Sequence, residues 1–185
     1  MKVLSSALVA LTLFLAVALP ARAQYSELEE NPVVPAVSEF YGVATVQTVT
    51  IMQNVSEPDD LLVTLFLARA SGTDPIRINE MRKKAKSWDD LFKRLEVHPG
   101  ALFQVLEGVK VPESCPDYAW AQRKYRDWKA SPKAGLPLYD KTVRLLVGLD
   151  FMVRRFDLAP GEAMKARMGS KSTMDLVRRR LEAKR

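Results

Sequence analysis

A chain of 185 residues with 48% apolar content is long enough to bury the core of one domain without covalent staples. Its single cysteine excludes an internal disulfide framework, and its single histidine excludes zinc patterns built on Cys and His pairs. The formal charge of +6 is unevenly spread: Gln24 to Asp60 holds seven acids and no Lys or Arg, whereas Leu61 onward holds 26 basic residues against 15 acids.

The first 23 residues have the three parts of a secretory signal. Lys2 is the positive start, Val3 to Leu19 is an apolar run, and Pro20 precedes Ala21-Arg22-Ala23, whose small residues suit a signal peptidase. The expectation is cleavage after Ala23 and a periplasmic or secreted product that meets the membrane only through the transient signal. No cysteine follows the site, so a lipid anchor is not expected. Residues 24–36 read as a flexible acidic arm, because acids and prolines dominate them.

From residue 37 the pattern is helical, and the expected fold is all-α, a compact bundle of eight or nine short helices. A first helical unit spans 37–107. Val43 to Met52 is rich in Thr and Val, yet a lone strand would have no partner, so it is assigned to helix. Asp59-Asp60 precedes a helix over Leu61 to Ala70, and Pro75 opens one to Lys84. Ser87 with Asp90 forms a capping box for Trp88 to Leu95, and Pro99 opens Gly100 to Leu106. Residues 108–138 comprise linkers around an aromatic and basic helix, Asp117 to Lys129. A second helical unit occupies 139–185. Its long helix, Tyr139 to Phe156, places Leu145, Leu149, Met152, Val153 and Phe156 on one face. Pro160 opens the next helix, and Ser172 with Asp175 caps the last.

Leu61–Leu95 laid on Leu146–Arg180, an offset of 85 without gaps, matches at ten of 35 positions. Pro75/Pro160, Ser87/Ser172 and Asp90/Asp175 are among them, and those residues set helix boundaries. The expectation is an internal duplication of a three-helix, helix-turn-helix-like unit, as two lobes around the 117–129 helix. A tight turn with a central apolar residue also recurs at Tyr41-Gly42-Val43, Glu96 to Pro99 and Asp157 to Pro160.

Ser87 to Leu106 has the outline of a helix-turn-helix. Its second helix would offer Gly100, Ala101, Gln104 and Glu107 outward, poor material for phosphates or bases, so it is read as structural. Ser87-Trp88-Asp89-Asp90-Leu91 and Val97-His98-Pro99, with Leu67-Ala68-Arg69-Ala70-Ser71-Gly72 and Arg82-Lys83-Lys84 before them, resemble a phrase of uncharacterised exported bacterial proteins. The resemblance covers about residues 40–106. It implies a helical fold and a bacterial, periplasmic setting, and it carries over no functional residue.

No catalytic or metal-binding constellation is visible, and no cofactor is expected. His98 before Pro99 reads as a turn residue. Cys115, in the loop sequence Pro112 to Pro116, is a candidate free thiol that is as easily exposed as buried. On the aromatic helix, Tyr118, Ala121, Tyr125 and Trp128 fall on a core stripe, which leaves Arg123, Lys124 and Arg126 as candidate interaction residues. Arg178, Arg179 and Arg180 are candidates on the last helix. The expected function is a non-enzymatic interaction or accessory module with an unknown protein partner in the periplasm. The alternative is an anionic ligand, nucleic acid or a membrane surface, held by the basic C-terminal half. Export argues against nucleic acid. A third reading is a Cys115-dependent activity.

Overall fold

A computed structural model describes residues 31–132 and 135–183. The expected signal peptide and residues 24–30 of the expected arm lie outside them. Ten α-helices and no strand occur among the described residues. They are α1 (Val33–Tyr41), α2 (Thr45–Met52), α3 (Asp60–Ser71), α4 (Pro75–Lys84), α5 (Trp88–Arg94) and α6 (Gly100–Phe103), which tightens into a 3-10 turn over Gln104–Leu106. Then come α7 (Pro116–Ala130), α8 (Asp140–Phe156), α9 (Pro160–Met168) and α10 (Thr173–Glu182).

Local chemistry sets most of these boundaries. Pro75 and Pro160 are first residues of their helices, where a missing N–H costs nothing. Asp74 accepts the Ile76 and Arg77 N–H groups. The Ser87 and Ser172 hydroxyls accept the Asp90 and Asp175 N–H groups at 3.2 and 3.0 Å. Ser87→Ala and Ser172→Ala should each lower stability by about 1 kcal/mol. Urea unfolding of the two variants checks this, and unchanged midpoints would mean that these hydroxyls do not cap in solution.

The expected arm is shorter than 24–36. Its last four residues belong to α1, with Val33, Val34 and Ala36 buried. Pro35 does not prevent this, because the first turn of a helix has no acceptor for its N–H groups. Asn31 helps by accepting the Val33 N–H at 3.1 Å. In α2, Thr48 and Thr50 return their hydroxyls to the Ala44 and Val46 carbonyls, which lets a Thr-rich stretch sit in a helix.

The recurrent turns share one backbone device. Gly42, Glu96 and Asp157 all adopt positive φ, at 68°, 53° and 52°. The Val43 and Val97 N–H groups then reach back to the Ser38 and Phe92 carbonyls. Val43, Val97 and Leu158 follow the left-handed residue and pack against the core.

The centre of the molecule is the α3–α8 pair, the most extensive helix contact, and not the 117–129 helix. From Thr142 to Met152 every residue of α8 except Arg144 is buried, so the helix is covered on more sides than the expected single stripe. Val143, Leu146, Val147 and Phe151 fill those extra sides with no exposure. Asp150 pairs with Arg154 one turn on, at 2.6 Å. The α7 helix lies to one side, against α6 and α8.

Candidate functional site

Beside the single histidine lies a cleft of about 760 Å³, within the range of ligand and side-chain pockets. The left-handed Glu96 ends α5 and turns the chain so that Val97 goes inward and His98 outward. The His98 Nδ1 atom accepts the Gly100 N–H at 3.1 Å, so the neutral ring carries its proton on Nε2. Its ring lies 5.4 Å from that of Trp128, tilted by 51°. At Gly100 a Cβ would fall 2.9 Å from His98 Cε1 and Nδ1, so any larger residue would displace the imidazole from this position.

Phe92, Val97, Pro99, Trp128, Leu136 and Leu138 give the cleft apolar walls. Asp89, Lys93, Glu96, Lys124 and Asp127 add charges of both signs. Asp89 accepts from Lys93 Nζ at 2.6 Å, and this hydrogen bond holds the ammonium pKa above its usual value. Behind the cleft, Glu107 accepts from Lys129 at 2.7 Å and from the Tyr125 hydroxyl at 3.1 Å. The Lys129 ammonium first, then Tyr125, hold Glu107 below the ordinary carboxylate range. The Tyr125 ring stacks on Phe103 at 5.1 Å and on Trp128 at 5.7 Å. Gln122 donates to the Leu106 and Val109 carbonyls. These bonds fasten α7 to α6 and hold the Trp128 wall in place.

Among the described residues, no nucleophile or carboxylate hydrogen-bonds the His98 ring. Its ring makes one described hydrogen bond, to Gly100. Cys115 is buried at the start of α7, whereas Trp128 lies near its end. That separation is about 20 Å along the helix, too far for a thiol–imidazole pair. The Tyr118 hydroxyl is buried without a hydrogen-bond partner among the described residues, and desolvation raises its pKa, with Arg167 opposing. No group of three potential metal ligands occurs among the described residues.

Of the six basic candidates, the cleft gathers Lys124 alone. Arg123 and Arg126 are exposed on α7. Arg179 is engaged by Asp175 and Ser170, and Arg180 lies over the Phe156 ring at 5.8 Å. Arg178 is exposed and makes no hydrogen bond or ion pair among the described residues. The outward face expected for α6 also needs correction. Ala101, Gln104 and Glu107 are exposed, but Gly100 is buried under His98 and Trp128. A recognition helix is also too short here, because α6 has four residues before it tightens.

Two parts of the site were not foreseen. Leu136 and Leu138 lie in or beside the expected linker, yet both are buried and form one wall. The available signal was two leucines flanking Pro137 in an otherwise polar stretch. Trp128, read as core, is half-buried and faces the cleft. No family model, curated protein or solved structure matches the chain.

Proposed function

We propose that this protein is an exported, non-enzymatic interaction module whose cleft between α5 and α7 takes an apolar segment of a partner protein in the periplasm. The observation that carries this reading is an apolar-walled cleft with a rim of mixed charge. A polyanion entering it would meet Asp89, Glu96 and Asp127, while Lys93 is already held by Asp89. A polypeptide can satisfy both signs at the rim and bury an apolar side chain against Trp128 and Leu136. Export rests on Lys2, the Val3 to Leu19 run and the Ala21-Arg22-Ala23 site.

The test is a photo-crosslinking amino acid placed at Lys93 or Lys124 in cells that export the chain, with Lys165 as a distant exposed control. A discrete protein adduct is expected from the two cleft positions and not from the control. Trp128→Ala should reduce it about thirtyfold or more, as loss of an aromatic anchor of about 2 kcal/mol or more would. Uniform labelling from all three positions would overturn the reading. Loss of the adduct in an Arg178, Arg179 and Arg180 to Gln variant, with Trp128→Ala silent, would move the interaction to the basic last helix.

A further inference from the structure

Arg82, Lys83 and Arg144 line a cleft of about 300 Å³, at the small end of ligand clefts, where the 53–59 loop meets α4 and α8. It shares no residue with the cleft beside His98. Asn54, Ser56 and Asn79 add neutral polar groups, and Asp60 is the single acid in its wall.

Two of the cations have an ordinary explanation. Arg82 and Lys83 stand in the last turn of α4, where positive charge meets the negative end of the helix dipole. Asn79 has no such explanation. It lies one turn earlier on the same face and is 4% exposed. Its amide makes no hydrogen bond among the described residues, yet it is not sealed off, because it borders the cleft. Buried polar side chains ordinarily have partners. Asparagine is also a poor helix former, and a leucine would pack here without leaving an amide unpaired. The unused donors of Asn79 therefore belong to whatever the cleft holds.

The acids nearby orient the cations. Asp60 Oδ1 accepts from the Trp88 indole at 2.9 Å and from Arg144 Nε at 2.6 Å, and its Oδ2 accepts from Arg144 Nη2 at 3.2 Å. This grip fixes one edge of the Arg144 guanidinium and leaves Nη1 without a described bond. Asp140, outside the cleft, holds Arg82 Nη2 at 2.7 Å. Lys83 Nζ meets Glu80 at 2.8 Å and Asn54 Oδ1 at 3.5 Å, an exposed arrangement that costs little to release. Two fixed guanidinium forks, an ammonium and an amide suit an anion with several acceptor oxygens. A carboxylate offers two oxygens to these four groups, whereas a phosphate offers at least three.

We infer that the cleft between the 53–59 loop, α4 and α8 is a binding site for a phosphate group, free or carried by a small solute or a lipid head, held by Arg82, Lys83 and Arg144 with Asn79 donating from its amide. The site is separate from the cleft assigned to a partner protein, so either can fail alone.

The test is titration of the purified protein with inorganic phosphate at constant ionic strength, followed by NMR of the Asn79 amide and the arginine Nε–H signals. The Asn79 and Arg144 signals should shift saturably with phosphate and not with chloride or acetate. Asn79→Leu should weaken binding at least about tenfold, as losing a hydrogen bond to a charged group does. Its urea midpoint should hold or rise, because an unpaired buried amide is removed. Lys83→Gln should weaken binding, and Arg178→Gln, on the last helix, should leave it unchanged. Asn79→Ser supports the same comparison if the leucine variant does not fold. Glycerol phosphate and vesicles containing phosphatidic acid identify the source. A soluble ester bound as tightly as phosphate means a small solute, and vesicles bound more tightly than either soluble form mean a lipid head. No saturable shift with any of the three probes, a shift that chloride reproduces, or binding that survives Asn79→Leu would overturn the inference. A loss of stability in both Asn79 variants would make the amide a structural group and would count equally against it.

Discussion

Asp59→Ala should destabilise the protein by about 3–5 kcal/mol, the range for breaking a buried ion pair from one side. The carboxylate is 4% exposed and accepts from Arg167, from the Thr173 and Met174 N–H groups and from the Thr173 hydroxyl. Its removal leaves a guanidinium that is 17% exposed without its acid, and two buried N–H groups without acceptors. Each orphaned group adds about 1–3 kcal/mol of desolvation penalty, less whatever water recovers. For a domain of this size the melting temperature should fall by roughly 10 °C or more. Asp59→Asn keeps one acceptor oxygen and should fall between the variant and the parent. The exposed Asp90–Arg94 pair is the control, and removing it should have little effect. Thermal and urea unfolding followed by circular dichroism read all three. A loss for Asp59→Ala no larger than that of the control would mean that the α3–α10 junction is hydrated in solution.

Gly148→Ala is the second large effect, and its sign separates local from tertiary physics. In an isolated helix, Ala for Gly would stabilise by about 1 kcal/mol. Here Gly148 is buried in the middle of α8, where α10 crosses it. A Cβ would fall inside van der Waals contact of Thr173 Oγ1 and 3.1 Å from its Cβ and Cγ2. The Thr173 side chain cannot swing away freely. It is fully buried, its hydroxyl donates to Asp59 at 3.2 Å, and it accepts from Arg167 Nε at 3.2 Å. The expected result is a net loss of about 1–3 kcal/mol from overpacking. Thr173→Ala removes the clashing Oγ1 and Cγ2 atoms. It should lower stability alone yet recover part of the loss when combined with Gly148→Ala. That non-additivity, measured by urea unfolding of the four proteins, identifies the close approach as the cause. If Gly148→Ala raises stability instead, α8 and α10 are farther apart in solution than described.

The two effects share one place in the fold, the joint where Asp59, Arg167, Thr173 and Gly148 meet. Arg144 adds a neighbouring link, donating to Asp60 at 2.6 Å and 3.2 Å, while the Trp88 indole N–H donates to the same carboxylate at 2.9 Å. Buried acids at helix starts thus do two things. They favour the positive end of their own helix, and they accept donors from sequence-distant elements.

Helix boundaries were legible because the physics that sets them is short-ranged. Pro75, Ser87, Pro160 and Ser172 act on N–H groups within three residues of themselves, so the sequence determined where those helices start. The core stripe of α7 was legible for a related reason, since Tyr118, Ala121 and Tyr125 recur at helical spacing and are buried. Only the tertiary structure made α8 the centre, because a periodic pattern cannot say that a second layer covers the other side. Asp59, Asp60 and Asp140 read equally well as helix-start acids whether or not an arginine from 58 to 108 residues away meets them. The cleft is likewise invisible in the sequence: Lys124 stands out only for its place among aromatics, His98 reads as a turn residue and Leu136 as linker. Each has an ordinary local explanation. What makes them one surface is the packing of α5, α7 and residues 135–138, a choice made by long-range burial rather than by neighbours along the chain.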